Sequence, residues 1–330
     1  MHTEREITVL ETHTAGEPTR IITDEIEPIV NDGDIREKRA DFAENHDEIR
    51  QLLMQEPRGH ADMYGAAIVD SSHPDADFGT FFMDGGGYVD MCGHATIGIV
   101  TAFIETGRLE PQEVFKIETP CGIVRARPTL ENDRVSQVAV ENVDSFYVEE
   151  REVPVEIGAE RELIPVDLVY SGNLFALVDA SDIGLPIIPE RADNFQQYGG
   201  AIRRKLNEQP SIEHPVEGTV HDVSVVEFYE HGDPDRNIVI YGNRDQIDRS
   251  PCGSGTCAKM TYLYENGDLD LDESYPYQSV IGTEFEGTLL ETETSNGVEM
   301  VTPQVTGSAY IVAEHTFYKD PHDPLIGFTI

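Results

Sequence analysis

Apolar residues fall along this chain mostly in short runs, and the runs predict more strands than helices. Residues 7–10 read as a strand leading into a polar turn, Thr12-His13-Thr14-Ala15-Gly16-Glu17-Pro18-Thr19-Arg20, with a second strand around Ile21-Ile22. Residues 35–54 carry Phe42, Ile49, Leu52 and Leu53 at helical spacing and stop before Pro57. A loop over 58–65 enters a strand at 66–69. Another strand follows at 78–83, then a tight loop, Asp84-Gly85-Gly86-Gly87, whose glycines answer a backbone-shape requirement. Residues 95–104 are apolar on nearly every side, the mark of a helix buried all round. Strands are expected at 114–118, 122–127 and 135–140.

After Asn142-Val143-Asp144-Ser145 the plan restarts. Residues 168–178 form a strand, turn and strand, and a helix at 189–208 answers the one at 35–54. Strands at 220–229 and 237–241 lead to Asp248-Arg249-Ser250-Pro251-Cys252-Gly253-Ser254-Gly255-Thr256, and further strands follow at 277–286 and 299–307. This stretch matches Asp90-Met91-Cys92-Gly93-His94-Ala95-Thr96. Laying Cys92 on Cys252 also lays Gly93 on Gly253, Thr96 on Thr256, Gly107 on Gly267 and Gly122 on Gly282. Gly107 and Gly267 fall where helices begun near the cysteines need a C-terminal glycine. Two homologous halves are therefore expected in an α+β fold. Each is a mostly antiparallel sheet or barrel around a central buried helix, spanning 1–140 with 312–330 and 141–311.

Composition alters this picture mainly through charge. The 330 residues are 39% hydrophobic and 26% charged, a globular balance, but 63 Asp+Glu face 23 Lys+Arg for a net charge of −40. Such a surface repels nucleic acid and anionic membranes, so neither is an expected partner. The acids are scattered over the whole length, which fits a protein of a high-salt cytosol where screening tolerates them. No apolar core follows Met1-His2-Thr3-Glu4-Arg5-Glu6, so no secretory signal is expected. No run approaches the ~18 apolar residues of a membrane span. Four cysteines make no disulfide framework for this length, and the Cys252/Cys257 spacing lacks the second pair that zinc would need. The expectation is a reduced, cytoplasmic protein without a metal, in which Cys121 and Cys257 are small buried hydrophobes.

Cys92 and Cys252 invite a different reading. Ser250 suits an N-cap and Pro251 the first helical position, which puts Cys252 in the first turn, where the helix dipole favours thiolate. Asp90 is the corresponding cap candidate before Cys92. The glycines beside each cysteine leave the N–H groups of the turn open to an anion. Gly253-Ser254-Gly255-Thr256-Cys257-Ala258 also satisfies a relaxed G-x-G-x-x-A. No acidic strand end follows ~20 residues later within a βαβ unit, which argues against a dinucleotide. The non-enzymatic alternative is a ligand-binding protein or a redox switch that closes a Cys92–Cys252 disulfide.

The quoted residues resemble the proline racemase family, related in fold to diaminopimelate epimerase, and its acidity makes this a haloarchaeal-like member. The likeness runs nearly end to end. It includes residues 13–20, Glu56-Pro57-Arg58-Gly59-His60, Gly87-Tyr88, Met91-Cys92-Gly93-His94, residues 248–256, 281–287 and Asp323-Pro324-Leu325-Ile326-Gly327-Phe328. The resemblance implies two similar lobes facing across a cleft and a cofactor-independent racemase or epimerase of proline or hydroxyproline. Two thiols on opposite sides of Cα, Cys92 and Cys252, would remove and return its proton. The resemblance places the substrate carboxylate on backbone N–H groups of Gly93, His94, Gly253 and Ser254, the ring nitrogen near His94 and Asp248, and the ring against Phe82 and Tyr64. Phenylalanine is usual where Tyr64 stands, and the added hydroxyl suits a hydroxyproline. His13 and His60 are candidates for orienting loops, and a homodimer is a candidate assembly. Met63-Tyr64 is similar to the family's trans-3-hydroxyproline dehydratases. These commonly replace one cysteine of the pair, whereas both are present here.

Overall fold

The polar stretch at 12–20 is mostly strand. In the computed structural model, which describes residues 5–24, 32–157, 160–216 and 218–329, Arg5–Thr14 and Glu17–Ile22 form one antiparallel hairpin. Its turn is Ala15 and Gly16, both at positive φ. Thr12 and Thr14 point inward and are buried, and their hydroxyls donate to the carbonyls of Thr19 and His94. Partners of this kind replace water and let polar side chains line an interior. Met1-His2-Thr3-Glu4, the opening of the stretch read for a secretory signal, lies outside the described residues.

The chain forms two compact units, Met1–Val140 with Gly307–Ile330, and Glu141–Thr306. In the first, Ala309–Lys319 pairs with Arg5–Thr14, and the order continues through Glu17–Ile22, Tyr64–Val69, Phe78–Asp84, Phe115–Thr119 and Gly122–Glu131. The pairings are antiparallel, antiparallel, parallel, antiparallel, parallel and antiparallel. Helices α1 (Ile35–Asn45) and α2 (Asp47–Met54) carry the chain across between the third and fourth of these strands. The single helix expected over 35–54 breaks at His46 (φ −136°, ψ 15°), which ends α1 and starts α2. The break lets Phe42 from α1 and Ile49, Leu52, Leu53 and Met54 from α2 reach one core with Phe81 and Met83.

Helix α3 (Gly93–Glu105) is buried from Gly93 to Ile104. It packs on Arg5–Thr14 and Ala309–Lys319 at one end of the strand order and on Gly122–Glu131 at the other, so the sheet curls around it.

The second unit repeats this succession of pairing senses. Its order is Phe146–Ile157, Glu160–Tyr170, Leu174–Asp179, Val223–Glu230, Asp235–Tyr241, Tyr275–Ser279 and Glu284–Ser295, extended by Val298–Gly307. Helix α4 (Ala192–Asn207) takes the crossover position, seating Phe195 on Phe228 at 5.0 Å between ring centroids. Helix α5 (Gly253–Asn266) takes the central one, in contact with both Phe146–Ile157 and Glu284–Ser295. The hairpin of Phe146–Ile157 and Glu160–Tyr170 escapes sequence pattern because its outward positions are crowded with charge. Along its outer length Val153, Val155, Ile164, Val166 and Leu168 mark the buried side. The fold is α+β, with a mostly antiparallel sheet around a central helix in each unit. Among the described residues no helix is long and apolar enough to cross a membrane.

Candidate active site

In the first unit, Phe78–Asp84 ends in a turn because Asp84 folds back, its Oδ1 accepting from the N–H groups of Gly86 and Gly87 at 2.5 and 2.7 Å. The chain then reaches Cys92, which is the N-cap of α3 rather than a residue of its first turn. Its carbonyl accepts from Thr96 N at 3.2 Å, and its sulfur accepts from Ala95 N at 3.4 Å. The sulfur does the work usually left to a Ser or Asp oxygen. Asp90, the expected cap, is ion-paired with Arg39 of α1 instead.

His94 lies with Nδ1 3.2 Å from the Cys92 sulfur, its carbonyl receiving the Thr14 hydroxyl at 2.8 Å. The edge of its ring meets Tyr64 at 4.8 Å, and Tyr64 meets Phe82 at 6.5 Å. Cys92, Gly93, His94, Tyr64 and Phe82 are all buried and contiguous.

In the second unit the route to the cysteine differs. Asp248 Oδ1 accepts from Ser250 N at 2.8 Å and from Ser250 Oγ at 2.7 Å, and Ser250 Oγ accepts from Cys252 N at 3.0 Å. Ser250 therefore caps the approach loop and not the helix. Pro251 stays outside the helix, its carbonyl taken by Asn237 Nδ2 at 2.7 Å. Cys252 becomes the N-cap at φ 60° and ψ 111°, its carbonyl accepting from Thr256 N at 2.7 Å. A non-glycine residue there costs on the order of 1–3 kcal/mol, held by the surrounding bonds. The Cys252 sulfur is 3.9 Å from Ser254 Oγ. Asp248, Cys252, Gly253 and Ser254 thus share one helix start.

Each unit therefore offers a thiol at the positive end of a buried helix, next to first-turn N–H groups that have no intrahelical acceptor. That arrangement can receive a carboxylate and exchange a proton beside it. The remaining cysteines have no such setting. Burial pushes the thiols of Cys121 and Cys257 up to about 12. His13 stacks on Tyr310 at 5.3 Å and accepts from Gly16 N at 3.4 Å, a place in the opening hairpin. Among the described residues no group of three or more His, Cys, Asp or Glu is placed to hold a metal ion.

Sequence reasoning missed Glu227, Asn237 and Tyr277. Glu227 is fully buried; its Oε1 accepts from Tyr277 OH at 2.7 Å and from Asn237 Nδ2 at 3.1 Å, and burial pushes its carboxyl up to about 7. Two turns into α5, Lys259 Nζ is buried 3.2 Å over the Tyr229 ring, and burial lowers its ammonium to about 8. The available signal was a lone acid interrupting the apolar run Val223-Ser224-Val225-Val226-Glu227-Phe228.

A family model described as proline racemase matches residues 9–329. A proline racemase of Acetoanaerobium sticklandii is 39% identical over 333 residues, covering 98% of this chain and 98% of that protein. A trans-3-hydroxy-L-proline dehydratase of Bacillus cereus is 36% identical over 96% of each. Among solved structures, a hydroxyproline epimerase from Agrobacterium vitis, with bound trans-4-hydroxy-L-proline, is similar at a TM-score of 0.89 and 27% identity. That likeness covers 100% of this chain and 97% of the other.

Proposed function

Because the chain belongs to the proline racemase family, we propose that it inverts the α-carbon of proline or a hydroxyproline, with Cys92 and Cys252 as its two proton-transfer groups. The observation that supports this most is the repeated one: each unit caps its central helix with a cysteine. One sulfur, as thiolate, takes the α-proton. The other, as thiol, delivers its proton to the opposite side of Cα, and no electrons leave the substrate, so the step calls for no redox cofactor. The carboxylate is assigned to the N–H groups of Gly93, His94, Gly253 and Ser254, where the charge developing on it from Cα is stabilised. His94 and Asp248 are assigned to the ring nitrogen, and Tyr64 and Phe82 to the ring. A helix end supplies ~0.3–1 kcal/mol when exposed and about 2 kcal/mol when partly buried, so exclusion of water has to strengthen it.

The test is proton exchange in D2O and high salt with proline and the 3- and 4-hydroxyprolines, read by mass spectrometry and chiral chromatography. Deuterium at Cα with formation of the other enantiomer or epimer is expected. A pure binding protein or redox switch incorporates none. Loss of water from trans-3-hydroxyproline is the second reading, favoured by Met63-Tyr64 and by the Bacillus cereus relative. It would yield a dehydrated product in the same assay, and the presence of both cysteines favours inversion. The acidic composition supports a high-salt cytosol as the working compartment.

A further inference from the structure

Behind Cys252 lies a buried carboxylate that the two-thiol scheme does not use. Glu227 Oε1 is fully occupied by Tyr277 and Asn237, while Oε2 is buried and has no hydrogen-bond partner. Leaving such an oxygen unpaired is costly, so its position calls for a reason. The reason lies at Gly255. A Cβ placed there would be 2.4 Å from Glu227 Oε2, 3.0 Å from Cys252 Cβ and 3.2 Å from Cys252 Sγ. The unpaired oxygen and the sulfur therefore both lie against the same bare α-carbon.

The groups facing Glu227 come from every neighbouring element. They are Tyr277 from Tyr275–Ser279, Asn237 from Asp235–Tyr241, Lys259 and Cys257 from α5, and Asp248 from the end of the short strand Gln246–Asp248. Lys259 favours the ionised carboxylate and Asp248 opposes it. The groups near Cys252 include Ser254, 3.9 Å from its sulfur, and Ser250, which accepts from its N–H and in turn donates to Asp248.

We propose that Glu227 is a positioning residue for Cys252: its buried carboxylate opposes formation of the Cys252 thiolate and keeps this cysteine as the proton-carrying member of the pair in the resting protein. The physical basis is that two anions this close in a water-poor interior cannot both be favourable, so ionisation of one suppresses ionisation of the other. The inference deepens the two-thiol reading and rests on it for its catalytic meaning, but its test does not need turnover.

The test is alkylation of the intact protein by iodoacetamide in high salt across pH, with the Cys92 and Cys252 peptides quantified separately by mass spectrometry. In Glu227→Gln the Cys252 midpoint should fall by about one pH unit, with a roughly tenfold faster reaction at neutral pH. The Cys92 midpoint, read in the same digest, should stay put. Tyr277→Phe, which removes a donor that supports the ionised carboxylate, should move Cys252 the same way by less. In the unsubstituted protein the Cys252 profile should be broader than a one-proton curve, a readout that does not depend on any variant folding. A one-proton wild-type curve, or a Cys252 midpoint that stays or rises in a folded Glu227→Gln protein, overturns the proposal. If the midpoint moves as expected while the protein racemises nothing, the coupling holds and the proposed reaction fails.

Discussion

The two cysteine-bearing helices share the hydrogen bonds of their C-terminal ends and differ in how each cysteine is held and in what surrounds it. Gly107 N donates to Ile104 O at 3.0 Å and Arg108 N to Phe103 O at 2.8 Å. Gly267 N to Tyr264 O and Asp268 N to Leu263 O repeat these distances at the end of α5. Thr96 Oγ1 and Thr256 Oγ1 each donate to the carbonyl of their cysteine at 2.8 Å. The strand registers agree as well, since Phe78 opposite Ile117 corresponds to Asp235 opposite Tyr277. That correspondence lays Glu227 on Ala66, Tyr277 on Ile117, Gly255 on Ala95 and Ser254 on His94. Beside Cys92 stand the His94 imidazole and, against it, the Tyr64 ring; beside Cys252 stand the hydroxyls of Ser250 and Ser254, with the Glu227 carboxylate across Gly255. Buried backbone groups must be paired in either copy, so the bonds at the C-terminal ends and the threonine bonds to each cysteine carbonyl stay alike. The side chains that set a sulfur's proton affinity are free to diverge.

The largest break of this comparison comes from the sulfurs themselves. Cys92→Ser and Cys252→Ser should each lower net inversion by roughly 10²–10⁴-fold, measured by chiral chromatography in high salt. Near-wild-type turnover in either variant would end the equivalence of the two. Next comes pH. Glu227 titrates at about 7 when folded and from an ordinary value of 4.5, so the folded protein holds this proton more tightly. Its contribution to stability is present below pH 4.5 and is lost as pH rises to 7, a term on the order of 3 kcal/mol. Glu227→Gln should flatten that decline in denaturant melts taken between those limits. An unchanged slope would remove Glu227 from the buried titrating groups.

Smaller effects separate the two helix starts. Gly255→Ala should cost about 1–2 kcal/mol, because its Cβ must displace a carboxylate tied down by Tyr277 and Asn237. Ala95→Gly in the other copy should cost ~1 kcal/mol through helix propensity alone. If Gly255→Ala stabilises, the close approach of Glu227 is wrong. The smallest change tests the backbone. Cys252→Gly should raise the melting free energy by about 1 kcal/mol by relieving φ 60°, whereas Cys92→Gly, at φ −149°, should lower it.

The repeat, the two cysteine motifs, the buried central helices and the α+β class were all legible in residue order. They depend on local rules: apolar spacing within a helix, glycine at a left-handed helix end, polar residues at turns. The helix starts show where such rules stop. Ser250 and Pro251 have every local qualification for a cap and a first helical residue, yet a bond from Asn237 and the Asp248–Ser250–Cys252 relay move the start to Gly253. Likewise, His46 breaks a helix whose apolar spacing runs straight through it.

By itself, then, the sequence determined that two copies of one plan exist and that each presents a thiol at a helix end, because those features are written within a few residues of one another. Tertiary structure alone decided what surrounds each helix start. Glu227, Asn237 and Tyr277 reach α5 from strands far away in the chain, and Tyr64 and Thr14 reach His94 in the same way. Such contacts follow from strand register and sheet curvature, which no local spacing encodes.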